Sequence, residues 1–377
     1  MRTTDLTDDV LAALRERRPY PAVTLTVPTH RTRPDNEQDP VRLRNRIGEA
    51  ARRLDADPDV PDRVREAVVA QLETAEAVTD FVHALDSLVV FATADEHQIW
   101  YLPRTAAERV VISDTFLTRN LVAAKAQARP YWVLAFAEDR ARLWSGSGDQ
   151  LTEARQDGFP MEPAPLVDED AARARLNRSS GTPAGYGDET TLQHLRAVDA
   201  ALGRLLGRDP RPLALVGLAQ GIAALKDVGT RAARTAVAAV PKGGLTDVTG
   251  HTLAQEVAPA RAEVRRERTR GALERLDAAR GRKLFIAGLD EVWGAAQEGR
   301  VALLVVEEPY RATVRITGGH LTPAEDGATG ADVHEDIVDE VVEAALSTEA
   351  EVVFVPADAL AGHGRIAAAV RYTWAAG

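Results

Sequence analysis

The sequence of 377 residues contains no cysteine. This excludes disulfides, thiolate nucleophiles and every zinc or iron–sulfur site that depends on cysteine ligands. The eight histidines are scattered, with no His-x-x-x-His or His-Glu-x-x-His pair. We therefore expect neither a dedicated metal site nor a cofactor.

The chain also lacks an apolar run of about 18 or more residues, the length that crosses a bilayer. Its first residues open an acidic amphipathic stretch, which is unlike a signal peptide. We expect a cytoplasmic protein without a membrane partner.

Hydrophobic residues make up 45% of the sequence, enough for sizeable cores, and their spacing predicts alternating helices and strands. The predicted helices cover about 5–17, 40–54, 61–78, 192–205, 221–228, 250–280, 288–298 and 332–346. The predicted strands cover 22–27, 87–92, 98–102, 131–136, 140–145, 213–217, 301–306 and 352–355.

These elements predict an α/β fold with three domains, because the chain is too long for one ordinary core. The domains are expected at 1–128, 129–258 and 259–377. The alternation of strand and helix in the middle domain indicates a mixed or parallel sheet, and the last domain is predicted to be a compact α/β sandwich.

Charge is distributed unevenly. Taken alone, the net charge of −11 argues against a nucleic-acid partner, DNA included, since phosphate binding depends on Lys and Arg, but the distribution of charge changes this interpretation. Residues 321–351 hold ten acids and no base, which predicts a solvated face or a contact with a basic partner. Residues 29–53 hold seven arginines against four acids, and 261–283 hold nine bases against four acids. Either basic stretch can meet phosphates, although 261–283 is better interpreted as a solvated helix face with internal ion pairs.

Three stretches carry a resemblance to a known family. They are the phrases at 27–32 and 36–45, the hairpin end at 142–146 with the loop at 181–187, and 288–306 with the ending at 364–372. Together they resemble the archaeal and eukaryotic release factor and Pelota superfamily. In particular they resemble its bacterial release-factor-like family, whose relatives include the hibernation factor Balon. The resemblance implies three α/β domains, ribosome binding, and a first domain that faces the decoding centre.

The peptide-releasing triplet of that superfamily is missing. The loop at 181–187 reads Gly-Thr-Pro-Ala-Gly-Tyr-Gly, where release factors carry Gly-Gly-Gln. In release factors the two glycines let the backbone approach the ester, and the glutamine backbone orients the attacking water. Its absence predicts a factor without peptide release. The glycines at 146–150 and 242–244 are interpreted as turns, because neither has the sequence context of a catalytic or phosphate-binding loop.

The resemblance gives the first basic stretch a partner in ribosomal RNA. Arginine binds phosphate bidentately and asparagine can read a base edge. The candidate RNA-binding residues of the first domain are His30, Arg31, Arg33, Asn36, Arg42 and Arg44. The alternative is that these polar groups hold a strand–helix junction, in which Asp39 acts as the helix cap.

The middle-domain loop supplies a second candidate group. The resemblance implies a tip that enters the peptidyl-transferase region, with the aromatic ring stacked on a nucleotide. Its residues are Asn177, Arg178, Gly185, Tyr186 and Gly187. The alternative interpretation is a disordered loop.

The leading hypothesis is a hibernation or rescue-type factor that occupies the ribosomal A-site region during stress, with elongation factor Tu as a possible delivery partner. It would not be an enzyme. The alternatives are a peptidyl-tRNA hydrolase with an unrecognised loop geometry and an adaptor that acts away from the ribosome.

Overall fold

The computed structural model describes residue 1, residues 3–162, residue 186, and residues 189–325 and 333–372. The chain divides into two compact units. Unit 1 combines Met1–Gln127 with Thr269–Gly377, and unit 2 is Ala128–Arg268. Of the predicted RNA-binding residues, Asn177, Arg178, Gly185 and Gly187 lie outside the described residues.

The first sheet of unit 1 is antiparallel, and its strand order is β3-β2-β1-β4. The strands are β1 (Ala22–Pro28), β2 (Ser87–Ala92), β3 (His97–Leu102) and β4 (Arg109–Ser113). Helix α1 (Asp8–Arg15) precedes the sheet, and Thr7 caps it by accepting a hydrogen bond from Val10 N at 3.2 Å.

Both faces of β1 are buried. Val23, Leu25 and Val27 pack in one core with Leu43 and Leu72, which come from helices α2 (Asp39–Asp55) and α3 (Asp62–Val78). The opposite face holds Thr24 and Thr26, which accept hydrogen bonds from Leu117 N at 3.0 Å and Asn120 Nδ2 at 3.4 Å. The continuous β-branched run at 22–27 follows from this two-sided burial.

The second sheet of unit 1 has the order β10-β16-β11-β15, with β11 and β15 parallel. Its strands are β10 (Phe285–Ala287), β11 (Val301–Glu307), β15 (Glu351–Val355) and β16 (Ile366–Val370). Residues 314–334 include a small third sheet of β12 (Val314–Thr317), β13 (His320–Pro323) and β14 (Val333–His334). The sequence had indicated an acidic loop and the start of a helix there.

A shared core joins the two ends of the chain within unit 1. Phe91, Trp100 and Phe116 belong to the same hydrophobic cluster as Val306 and Val341. The helices on the C-terminal side are α9 (Leu289–Gln297) and α10 (Ile337–Ser347), and helix α4 (Arg119–Gln127) belongs to the N-terminal segment.

Unit 2 is built on a mixed five-stranded sheet of order β7-β6-β5-β8-β9, as predicted. The predicted hairpin is formed by β5 (Tyr131–Phe136) and β6 (Ala141–Ser147), and it is followed by β7 (Gln150–Ala154). The turn predicted at 146–150 is confirmed for Gly148, whose φ is 57° between β6 and β7, but not for Gly146, which lies within β6 and makes room for the Tyr131 ring. Strands β8 (Leu213–Val216) and β9 (Ala238–Val240) add in parallel.

The helices of unit 2 include α5 (Glu189–Arg208) and α6 (Ala219–Asp227). The single helix predicted over 250–280 is two helices, α7 (Gly250–Glu256) and α8 (Ala258–Gly281), and α8 continues past Arg268 into the residues of unit 1. The α/β fold class is confirmed, whereas the three domain boundaries stay a prediction. In the described part of the chain, no helix is both long and apolar enough to span a membrane.

The acidic stretch at 321–351 is only partly a solvated face, which corrects the sequence interpretation. Asp336 and Asp339 are 5% and 3% exposed. Asp339 accepts hydrogen bonds from Arg119 N at 2.7 Å and Thr118 N at 3.2 Å, at the start of α4. Asp336 accepts from Arg109 Nη1 at 2.7 Å. Both acids therefore contact the N-terminal segment of the same chain.

Asp339 makes the stability of unit 1 depend on pH. Burial and the nearby Asp336 raise its pKa from 3.8 to about 7, although Arg119 opposes the shift. Burial and Asp339 likewise raise the pKa of Glu343. Since these pKa values are higher in the folded chain than in the unfolded one, their contribution to stability is full below about pH 4 and is lost as pH rises towards about 7.

We therefore expect the free energy of unfolding to fall with pH across that window, and Asp339→Asn to make the slope shallower by up to about 1.4 kcal/mol per pH unit. The measurement is urea unfolding at a series of pH values. Asp9→Asn, at an exposed position, serves as the control and should keep the wild-type slope. Equal slopes for all three proteins would contradict the assignment.

Candidate functional site

The candidate site of the first domain lies where β1 ends and α2 begins. A short 3-10 helix, Asp35–Gln38, fills the connection. Pro40 is in the first turn of α2, where its missing N–H costs no hydrogen bond. The predicted capping role of Asp39 is wrong, because the N-cap residue is Gln38 and Asp39 is already helical.

Asp39 instead ties the loop to the helix. It is fully buried, and its Oδ2 accepts a hydrogen bond from His30 N at 2.7 Å. Its Oδ1 lies 2.9 Å from His30 Nδ1 and 3.3 Å from Arg42 Nη1. His30 and Arg42 therefore have a structural role in the free chain, as the alternative interpretation proposed.

Two further candidate arginines are paired with acids of the same unit. Arg31 donates to Asp86 through Nε at 2.7 Å and through Nη2 at 2.8 Å, which is the bidentate geometry that arginine also uses for phosphate. Arg44 donates from Nε to Glu76 at 3.0 Å, and the arginine side chain remains 69% exposed. An RNA phosphate would have to compete with these carboxylates.

Arg33 and Asn36 differ from the other candidates. Arg33 is exposed, and its side chain makes no hydrogen bond or ion pair with any described residue. Asn36 is partly buried, and its backbone N donates to Thr32 O at 3.2 Å. Arg33 is thus the candidate guanidinium that an external phosphate would meet without competition from any described residue.

In unit 2, Tyr186 is 7% exposed and its ring packs in the core with residues such as Ile222. A Cβ atom on Gly221 would lie 2.4 Å from the Tyr186 ring, so the glycine makes room for it. Burial raises the pKa of the Tyr186 hydroxyl. Stacking of this ring on a nucleotide stays a prediction, and it would require the ring to leave the core.

The basic stretch at 261–283 occupies most of α8. Arg266 Nε donates to Glu263 at 2.9 Å, and Arg280 lies 3.8 Å from Asp277, both at i,i+3 spacing. These contacts agree with the interpretation of a helix face that carries internal ion pairs.

Sequence reasoning gave no role to Arg104, Arg119 and Arg311, which line a cavity of about 280 Å³ in unit 1. Arg119 contacts Asp336, which is 217 positions away in the sequence. No local pattern signals a contact over that separation. Within the described ranges, no group of three or more His, Asp or Glu is arranged to hold a metal ion.

Comparison with known proteins shows that residues 130–300 match the model of bacterial archaeo-eukaryotic release factor family 3. No curated protein is significantly similar to the sequence. The archaeal translation termination factor aRF1 is 18% identical, with 99% of each chain covered and a TM-score of 0.25. Pelota of Archaeoglobus fulgidus is 14% identical, with 76% of this chain and 80% of that chain covered and a TM-score of 0.36. Dom34 of S. cerevisiae is 11% identical, with 74% of this chain and 73% of that chain covered and a TM-score of 0.39.

The buried Asp39 should be important for stability. Asp39→Ala leaves His30 N and the Arg42 guanidinium without their acceptor, so we expect the free energy of unfolding to fall by about 2–3 kcal/mol. Asp39→Asn keeps one oxygen acceptor and should cost less. Denaturant unfolding measures both, with the exposed Asp35→Ala as a control that should stay within about 0.5 kcal/mol of the parent. A parent-like stability for Asp39→Ala would show that the junction does not depend on this carboxylate.

Proposed function

From the release-factor-like identity of residues 130–300, we propose that this chain is a ribosome-associated translation factor of the cytoplasm. In this proposal it is a hibernation or rescue-type factor that occupies the A-site region and does not release peptide. Elongation factor Tu is the proposed delivery partner. The family match is the observation that supports the proposal most directly.

The sequence supports the absence of peptide release. No Gly-Gly-Gln triplet occurs anywhere in the chain, and no cysteine offers a substitute nucleophile. The segment at 181–187, where the triplet was expected by resemblance, contains no glutamine. Without that backbone geometry the attacking water has no known means of being positioned at the ester.

The arginines at the β1–α2 junction are the proposed RNA contacts. Arg31, Arg33 and Arg44 are exposed, and Arg33 has no side-chain partner in the described part of the chain. RNA binding by such side chains releases counterions, so the affinity has to depend on salt. Arg42 is a poorer contact because it serves the buried Asp39.

We expect salt-sensitive binding to ribosomes that Arg33→Glu weakens by about tenfold, because the substitution replaces an attraction to phosphate with a repulsion. Arg63→Glu is the matched control, since Arg63 is an exposed arginine on α3 outside the junction. Co-sedimentation with purified ribosomes at several salt concentrations measures the effect. Equal binding of both variants would remove the junction from the interface, and no binding by the parent chain would favour the adaptor alternative.

We also expect no hydrolysis of labelled peptidyl-tRNA on ribosomes above a control without protein, because the chain lacks the Gly-Gly-Gln backbone. A canonical release factor provides the positive control. Hydrolysis well above background that disappears when residues 177–188 are deleted would make the peptidyl-tRNA hydrolase alternative the better description.

A further inference from the structure

The cavity of about 280 Å³ in unit 1 has features that suggest a ligand. Three arginines line it, namely Arg104, Arg119 and Arg311, together with Asn120. The only acid among its lining residues in the described chain is Glu308. Three guanidinium groups therefore face one carboxylate.

These arginines are buried to an extent that is unusual for charged side chains. Arg104 is 7% exposed and Arg119 is 4% exposed, while Arg311 is half-buried. Burial, together with the charges of Arg119 and Arg311, lowers the pKa of Arg104 to about 10. The group still carries its proton at neutral pH, so the unit holds a buried positive charge at this position.

The existing contacts leave part of this donor capacity unused. Arg104 donates from Nη1 to Asn120 Oδ1 at 3.1 Å, and its Nη2 pairs with Glu308. Its Nε is buried and donates to no described residue. Arg119 is engaged by backbone carbonyls, since its Nη2 donates to Glu308 O at 2.8 Å and to Tyr310 O at 2.6 Å. Arg311 Nε is likewise buried without a hydrogen bond to any described residue, so two of the lining arginines, Arg104 and Arg311, each keep an unused Nε donor.

Asp336 balances only part of the charge. It is not a lining residue, and it lies 3.5 Å from Arg119 Nη1 and 3.6 Å from Arg311 Nε. It also accepts the hydrogen bond from Arg109. With Glu308, Asp336 and Asp339 set against Arg104, Arg109, Arg119 and Arg311, the group keeps an excess of positive charge.

We propose that this cavity binds a phosphate group that carries two negative charges, either as inorganic phosphate or as the monoester of a small molecule. Arginine is the side chain best suited to hold such a group, because its fork offers paired donors to phosphate oxygens. The apolar part of the lining, which includes Phe354 and Pro356, can contact the organic portion of an ester.

Glu308 acts in this proposal as an internal counter-anion. Its side chain is 39% exposed, so it stands at the solvent-facing side of the cavity, and its carboxylate pairs with Arg104. A phosphate that enters displaces this carboxylate and takes its place on Arg104. Removal of the Glu308 charge should therefore strengthen phosphate binding.

Isothermal titration of the full chain at constant ionic strength tests the proposal, with inorganic phosphate and glycerol phosphate as the two probes and chloride as the reference anion. We expect Glu308→Gln to tighten phosphate binding by about tenfold and Arg104→Met to weaken it by at least about tenfold, while Arg63→Met leaves it unchanged. Tighter binding of glycerol phosphate than of inorganic phosphate identifies an ester as the ligand class, and the reverse order identifies the free ion.

Two outcomes would overturn the proposal. One is the absence of saturable binding of either probe to the parent chain and to Glu308→Gln at millimolar concentration, which would leave the arginines with a structural role alone. The other is equal phosphate affinity in the parent and in Glu308→Gln. This comparison does not involve Arg104→Met, so it tests the proposal even if that variant fails to fold. Neither outcome bears on ribosome binding, which is measured separately.

Discussion

The carboxylate of Asp339 at the start of α4 is the contact on which unit 1 depends. It accepts the backbone N–H groups of Thr118 and Arg119, which would otherwise be unsatisfied at a buried helix start. The helix comes from the N-terminal segment and the acid from the C-terminal one, so this side chain links the two segments in addition to their shared core. Asp336 also links the two segments, because it accepts a hydrogen bond from Arg109. Leaving the two buried N–H groups of Thr118 and Arg119 without an acceptor costs about 1–3 kcal/mol each, which is a large part of the stability of an ordinary domain.

The placement of α4 then sets the geometry of its neighbours. Asn120 donates a hydrogen bond to Thr26 on β1 and accepts one from Arg104. Its side-chain amide therefore links the first sheet of unit 1, helix α4 and the cavity. The other face of β1 packs on α2, whose first turn holds Asp39. The surface arginines and the buried arginines are therefore positioned by opposite faces of one sheet. A change at the buried contact of α4 can reach the junction through β1 and through Arg53 of α2, which pairs with Glu335.

Local pattern predicted most of the helices and strands but not what satisfies their charges. Helix α2 could be predicted from the spacing of Leu43 and Ile47, and strand β1 from its β-branched run. Both patterns were sufficient because these side chains are buried together in one core. The strands β12 and β13 were missed since each has only four residues and exposed side chains. The role of Asp39 was misassigned, and that of Asp339 was not recognised, because their partners lie 9 and 220 positions away. Residue type alone cannot distinguish a solvated acid from one that a distant helix start requires.

The two proposed phosphate contacts differ in their physical conditions. At the junction, Arg31 and Arg44 are already paired with Asp86 and Glu76, so an RNA phosphate gains only the difference between two exposed ion pairs. Salt weakens that difference further, because exposed charges are screened within about 10 Å at 0.1 M. In the cavity, burial excludes most of the screening ions, and the competing carboxylate of Glu308 is a single group. The junction is thus suited to reversible contact with a long polyanion through many weak interactions, whereas the cavity is suited to one compact anion held by few strong ones.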